Sequence, residues 1–260
     1  MLVSILAVIP TLAAHDLYIL PGAFQVAPGQ MLRVAYHNGD GFPESEAAPP
    51  LTRLTGARLV SRWGSVSVGG LRAEGSEVLG EVVVPKGGSW QLAVSTKPNF
   101  IALEPAKFVE YLKEEGFNEV IEWRRTHGEE QRPGRERYSK FAKSVLRDGS
   151  GDDFYLTALG LPIEIVLLGD PGKLKVGDKL PVMVLLRGKP AAGLQVEAAR
   201  ALGGKTKTSA IGRTGADGRI DIPIDQAGRW RLHSLQIERC AEPKVADWES
   251  LWASVTFEVR

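Results

Sequence analysis

Three histidines stand where their side chains could bind a metal ion. The chain has four histidines in all. His15 follows an apolar leader, His37 ends a predicted strand, and His233 lies within another predicted strand. Strand ends and a chain terminus can meet on one rim of a β-sandwich, where neutral imidazoles can bind transition metals. Taken singly, each could also be an ordinary hydrogen-bonded histidine, and we assign His127 to a solvent-facing, charged segment.

The first residues are typical of a secretory signal peptide. Residues 2–14 are apolar, too short to cross a bilayer as a helix, and end in small side chains. Cleavage after Ala14 would leave His15 with a free amine beside its imidazole, and cleavage after Ala13 would still leave several nitrogen ligands. Nickel, cobalt or copper would bind such groups. We therefore expect a signal peptide over residues 1–14 and a periplasmic or secreted protein, with a buried first strand as the alternative.

Other common chemistries lack their motifs in this sequence. It has no Gly-x-Ser-x-Gly nucleophile motif, no Walker loop for phosphate and no His-Glu-x-x-His zinc motif. The single cysteine, Cys240, allows neither an internal disulfide nor a cysteine metal cage. Lys and Arg total 32 and Asp and Glu 31, so no chain-wide positive field favours nucleic acid. We expect a binding protein rather than an enzyme, with no transmembrane segment after signal removal.

Short strands separated by turns make up most of the predicted structure. Strands at intervals of roughly 8–12 residues predict a sandwich rather than alternating strands and helices. Over residues 105–147 the apolar residues instead recur every three or four positions, which predicts amphipathic helices. A link rich in Gly and Asp at residues 148–153 indicates a domain boundary. The prediction is a mainly β protein with two immunoglobulin-like β-sandwich domains, residues 15–153 and 154–260, and a helical insertion over 105–147 between them.

Short segments along nearly the whole mature chain carry a resemblance to a known family. These segments cover residues 15–21, 28–29, 39–43, 111–116, 137–143, 228–230 and 252–257. They resemble periplasmic proteins associated with bacterial nickel and cobalt uptake, a family now catalogued as a domain of unknown function.

The resemblance implies a periplasmic protein that binds a divalent transition metal, nickel or cobalt with copper as a further candidate. Such a protein would deliver the ion to a membrane transport component. His15 matches the early histidine of the family, and His233 falls in a strand where relatives can carry a histidine. Asp40 stands where many relatives place a histidine, and His37 lies three residues earlier. The expected metal ligands are therefore His15, His37, Asp40 and His233, a mixed nitrogen and carboxylate set that nickel or cobalt accepts.

Two other functions are compatible with the sequence. An extracellular module could stack sugars or another protein on exposed tryptophans, although tryptophans at strand spacing are more often core residues. The five tryptophans considered are Trp63, Trp90, Trp230, Trp248 and Trp252. A copper enzyme with an amino-terminal histidine clamp would require cleavage directly before His15 and a second histidine converging on it.

Overall fold

The computed structural model describes residues 15–260, so the predicted signal peptide over residues 1–14 lies outside the described residues. Two helices and seventeen strands occupy the described part of the chain. The helices are α1 (Pro105–Glu114) and α2 (Asn118–Thr126). The strands are β1 (Leu17–Pro21), β2 (Met31–Asn38), β3 (Leu54–Ser61), β4 (Gly64–Ser67), β5 (Gly69–Glu74), β6 (Glu77–Val83), β7 (Ser89–Thr96), β8 (Asn99–Leu103), β9 (Gly134–Arg147), β10 (Ile163–Leu167), β11 (Lys179–Leu186), β12 (Lys189–Pro190), β13 (Gln195–Leu202), β14 (Lys205–Arg213), β15 (Arg219–Pro223), β16 (Gly228–Arg239) and β17 (Trp248–Val259).

One nine-stranded sheet runs through the molecule and joins the two halves of the chain. Its strand order is β14-β13-β16-β17-β9-β7-β3-β4, with β8 also paired to β9. The junction is the parallel pair of β17 and β9, in which Trp248 lies opposite Glu136 and Thr256 opposite Ser144. Two smaller sheets complete the fold, one of order β1-β2-β6-β5 and one of order β10-β11-β12 with β15 also on β11. The fold is mainly β and of the β-sandwich, immunoglobulin-like class.

The two smaller sheets pack on opposite faces of the large sheet. On β9, Ala142 and Leu146 belong to the apolar core under the β1 sheet, whereas Phe141 and Val145 belong to the core under the β10 sheet. Neighbouring residues of a strand point to opposite faces, so these two cores lie on the two sides of β9. The predicted boundary at residue 153 therefore does not separate two independent sheets, because a strand from each side of it forms the central junction.

The predicted helical segment over residues 105–147 is helical only in its first half. Pro105 begins α1, and Gly116 follows its end with a φ of +79°. Residues 134–147, however, form the strand β9. The prediction was wrong because β9 is covered on both faces. Its buried apolar pairs, 141–142 and 145–146, recur after four residues and so resemble the period of a helix.

The helices pack on the part of the large sheet where β16 ends and β17 begins. Phe108 and Tyr111 of α1 lie in a third apolar core with Trp248 and Trp252 of β17. The rings of Tyr111 and Trp252 are stacked with centroids 5.8 Å apart. Among residues 15–260, neither helix is long and apolar enough to cross a membrane. This packing holds the end of α1 beside β13 and β16. The acidic residues at the end of α1 therefore lie at the site described below.

We expect Gly134→Ala to destabilise the protein by about 1–3 kcal/mol, because the added methyl group overfills a packed core. A Cβ at Gly134 would lie 2.2 Å from the ring of Phe108, which is fully buried. The matched control is Gly41→Ala, where an added Cβ would meet nothing within 4 Å. Urea unfolding of both variants checks the prediction, and equal stabilities would contradict the close approach of Gly134 to Phe108.

Candidate metal centre

The pairing of β1 and β2 brings the residues before β1 next to the loop after β2. Leu17 lies opposite Asn38 in this antiparallel pair, and the backbone N–H of Gly39 donates to the carbonyl oxygen of Asp16. The loop itself is fixed by Phe42, which is fully buried, and returns to Asn38 through a bridge with Ala47. The strand register therefore places His15 beside the side chains of this loop.

His15 lies between two carboxylates of that loop. Its Nδ1 is 2.9 Å from Oδ2 of Asp40, and its Nε2 is 3.4 Å from Oε2 of Glu46. The three residues can offer one nitrogen and two oxygen atoms that all lie within 4.8 Å of one another. The side chain of His15 is half-buried, whereas Asp40 and Glu46 are exposed. A metal ion could therefore reach the three groups from solvent.

The pKa of Asp40 is raised above its ordinary value, first by partial desolvation of its carboxyl group at the loop surface and further by the negative charge of Asp16. The hydrogen bond from His15 acts in the opposite direction. The backbone N–H of Asp40 donates to Oε1 of Glu46 at 3.0 Å, which holds the two acidic residues together. Carboxylates kept close in this way repel each other, and a divalent cation between them would remove that repulsion.

A cavity of about 480 Å³ with acidic walls adjoins this cluster. Asp40 belongs to both, and Asp16, Glu114, Glu115 and Glu197 add four further carboxyl groups to the cavity. Glu114 and Glu115 lie at the end of α1, and Glu197 lies on β13. Two basic side chains of β16, Arg231 and His233, also line the cavity. The negative charge of these acidic groups attracts cations into the cavity and so toward the adjoining cluster.

His233 does not join the His15 cluster. Its Nδ1 is 2.7 Å from Oδ1 of Asp16, and its Nε2 is 3.1 Å from Oε2 of Glu115. Burial alone would lower the pKa of His233, but these two carboxylates outweigh it and raise the pKa well above its ordinary value. A protonated imidazole between two acidic groups is a counterion rather than a metal ligand. The predicted ligand His233 instead balances charge inside the acidic wall.

His37 also lies apart from the cluster. It stands opposite Tyr18 in the pairing of β1 and β2, and the two rings are stacked with centroids 5.0 Å apart. Its Nε2 is 3.5 Å from a carboxylate oxygen of Glu77, and burial lowers its pKa to about 4. Within residues 15–260, the one group of three such side chains whose ligand atoms lie within 4.8 Å of one another contains neither His37 nor His233.

The structure therefore unites two of the four expected ligands, His15 and Asp40, and adds Glu46 to them. Sequence reasoning missed Glu46 because the loop contains two acidic residues, Glu44 and Glu46, that the sequence does not distinguish. The bridge between Asn38 and Ala47 closes the loop so that Glu46 faces His15. Glu44 instead contributes its backbone oxygen, which accepts a hydrogen bond from the hydroxyl of Tyr18 at 2.6 Å.

Acid should destabilise the protein through Asp16. Burial alone would raise the pKa of Asp16, but Arg231 and His233 outweigh it and lower the pKa to about 2. A carboxyl whose pKa is depressed in the folded state stabilises that state above its unfolded pKa, and the contribution disappears as pH falls through the folded value. We expect a loss of about 2 kcal/mol between about pH 5 and pH 2.

Urea unfolding at several pH values checks this prediction. The variant Asp16→Asn should show a shallower loss of stability over the same pH range, because it has no carboxyl to protonate at this position. The control Asp221→Asn removes an exposed carboxylate 3.9 Å from Lys179 and should follow the native protein. An unchanged slope in Asp16→Asn would contradict the buried ion pair.

Four of the five tryptophans considered for stacking on a ligand are core residues. Trp90, Trp230, Trp248 and Trp252 are each less than 4% exposed, whereas Trp63 is 51% exposed. The indole of Trp63 lies beside that of Trp90, with ring centroids 6.2 Å apart. One exposed ring is a small platform for a glycan, so the described surface gives this alternative little support.

Some solved structures show a weak similarity to this chain. Its fold is similar to a DUF4785 family protein from Legionella pneumophila, at 11% identity and a TM-score of 0.27, over 83% of this chain and 52% of that one. It is also similar to a tetra-tandem repeat of a large adhesion protein, at 13% identity and a TM-score of 0.23, over 94% of this chain and 49% of that one. The D0-D1 domain of intimin is similar at 11% identity and a TM-score of 0.21, over 94% and 98%.

The chain spans about half the length of the first two of these structures. Proteins of curated function give no match. A family model matches residues 12–238, which is most of the sequence. The chain therefore belongs to the family described as domain of unknown function DUF4198.

Proposed function

We propose that this protein binds a divalent transition metal, nickel or cobalt, in the periplasm and delivers it to a membrane uptake component. The observation that carries the proposal is the cluster of His15, Asp40 and Glu46, whose three ligand atoms lie within 4.8 Å of one another. Sequence resemblance to proteins associated with nickel and cobalt uptake supports the choice of metal and the compartment.

The chemistry of the three ligands suits such an ion. Imidazole nitrogen is a ligand that nickel and cobalt share with copper and zinc, and carboxylate oxygens add negative charge that offsets the dication. Removal of a signal peptide directly before His15 would add the terminal amine as a further nitrogen donor. Ions that prefer oxygen ligands, such as magnesium, would gain little binding free energy from the imidazole.

The position of the cluster suits delivery better than permanent storage. Asp40 and Glu46 are exposed, so an ion bound there stays accessible to a partner that offers better ligands. The acidic cavity beside it would concentrate cations near the cluster. The copper-enzyme alternative needs a second imidazole beside His15, and in the described residues the nitrogens of His233 lie against Asp16 and Glu115 instead.

Isothermal titration of the purified, metal-free protein tests the proposal. We expect one nickel or cobalt ion to bind per chain, magnesium to bind much more weakly, and affinity to fall on acidification because the ligands must be unprotonated. Glu46→Gln should weaken nickel binding about tenfold or more, since it removes one charged ligand. The matched control is Glu44→Gln, in the same exposed loop but outside the cluster. Equal affinities in the two variants would contradict the proposed site.

A further inference from the structure

Strand β1 is the end strand of its sheet, and side chains of the large sheet hold its free edge. In the described part of the chain, β1 pairs with β2 alone, in the order β1-β2-β6-β5. Buried carbonyl oxygens along such an edge need hydrogen-bond donors from elsewhere. The carbonyl oxygens of His15, Leu17 and Ile19 accept hydrogen bonds from side chains rather than from another strand.

Two hydroxyl groups of β17 supply donors for β1. Oγ of Ser254 donates to the carbonyl oxygen of Leu17 at 2.5 Å. Oγ1 of Thr256 donates to the carbonyl oxygen of Ile19 at 2.6 Å. Both hydroxyl-bearing residues are at most 4% exposed, so solvent has little access to replace either bond.

Lys140 of β9 supplies the third donor. Its Nζ donates to the carbonyl oxygen of His15 and, at 3.3 Å, to Oδ1 of Asn38 at the end of β2. Lys140 lies opposite Trp252 in the pairing of β17 and β9. Alternate residues of a strand share a face of the sheet. Lys140, Ser254 and Thr256 therefore form one row on the large sheet, which we call the donor row.

The spacing of the donor row matches the spacing of the carbonyl groups that it holds. The carbonyl groups belong to alternate residues, 15, 17 and 19, and the two hydroxyl groups belong to alternate residues of β17. A shift of β1 by one residue would turn its side chains to the opposite face. A shift by two residues would move His15 by about 7 Å. That distance exceeds the 4.8 Å within which the ligand atoms of the proposed metal centre lie.

We propose that the donor row positions His15 for the proposed metal centre. It holds β1 in the register that keeps the imidazole of His15 beside the carboxylates of Asp40 and Glu46. His15 precedes Leu17, the first paired residue of β1, so the pairing with β2 alone does not fix it. Ligands that are already in place lose less conformational entropy when they bind an ion. This positioning role rests on the proposed function, and the three donors act through His15 rather than as ligands.

Calorimetric titration of Ser254→Ala and Thr256→Val with nickel, beside the native protein, tests this role. Each replacement removes a hydroxyl group and no charge, so a change in affinity reports the position of His15. We expect Ser254→Ala to weaken nickel binding about tenfold, as does the loss of other groups that orient a metal ligand. Thr256→Val should weaken it about threefold, because its bond lies farther from His15. The control is Ser250→Ala, which alters a buried serine of β17 whose hydroxyl donates to Glu136 and not to β1.

Thr256→Ser separates positioning from a general loss of stability. Serine keeps the hydroxyl group and removes a buried methyl group, so the urea midpoint should fall while nickel affinity stays native. Thr256→Val keeps the shape and loses the hydroxyl group, so nickel affinity should fall. This pair decides the question even if Ser254→Ala fails to fold. Equal losses of affinity in Thr256→Ser and Thr256→Val would contradict the positioning role.

The affinity of the native chain distinguishes a failure of this role from a failure of the proposed function. Absence of nickel binding by the native chain would overturn both. Nickel binding by the native chain that Ser254→Ala and Thr256→Val leave unchanged would overturn the positioning role alone.

Discussion

Replacing Glu164 by glutamine should lower the free energy of unfolding by about 3–5 kcal/mol, because it leaves a buried lysine without its counterion. Nζ of Lys143 on β9 lies 2.6 Å from Oε1 of Glu164 on β10, and both side chains are at most 2% exposed. Glu164 also accepts backbone hydrogen bonds from Leu159, Gly160 and Leu161. The pair therefore links the large sheet to the smaller sheet that contains β10. It also links the large sheet to the segment that leads into β10.

Urea unfolding of Glu164→Gln beside the native protein gives this measurement. Asp221→Asn is the control, since it removes one partner of an exposed ion pair and should cost at most about 1 kcal/mol. A loss below about 1 kcal/mol in Glu164→Gln would mean that the pair is not buried as described. The double variant Lys143→Met, Glu164→Gln should recover part of the lost stability, because no unpaired charge remains.

Nickel affinity should fall about 100-fold or more when His15 is replaced by alanine. His15 supplies the imidazole nitrogen of the proposed centre, and its two ring nitrogens face Asp40 and Glu46. Loss of a residue that merely orients a ligand costs about 10–100-fold in metal affinity, so loss of a ligand should cost at least as much. The remaining carboxylates would prefer harder ions such as magnesium.

The control for His15→Ala is His127→Ala. His127 is exposed after the end of α2, and its ring stacks on Trp123 with centroids 3.9 Å apart. Calorimetric titration of both variants with nickel should show a large loss for His15→Ala and none for His127→Ala. Equal nickel affinities of the two variants would contradict the proposed role of His15 as a ligand.

Much of the fold follows from local patterns, but the arrangement of the sheets does not. Short strands separated by turns predict a mainly β chain, and the apolar periodicity that begins at residue 105 predicts helices where α1 and α2 lie. The strand β9 was missed because its side chains are buried on both faces, which removes the alternation that identifies a half-buried strand. Its parallel pairing with β17 joins residues about a hundred positions apart, and no local pattern encodes such a contact.

The candidate site was predictable only in part for the same reason. His15 and Asp40 meet because β1 and β2 are neighbours both in sequence and in space. His37 lies on the same pair of strands, but its position opposite Tyr18 directs it toward Glu77. His233 acts as a counterion rather than a metal ligand because of Asp16 and Glu115, which come from distant parts of the sequence. The type of a residue therefore indicated its chemistry, while burial and neighbouring charge decided whether it could act as a ligand.

Anomalous diffraction at the nickel absorption edge, from a crystal of the protein soaked with nickel, tests the proposed centre most directly. The account predicts one strong peak between the imidazole of His15 and the carboxylates of Asp40 and Glu46, with metal–ligand distances of about 2 Å. A nickel peak at His127 or elsewhere on the surface, with this cluster empty, would contradict it.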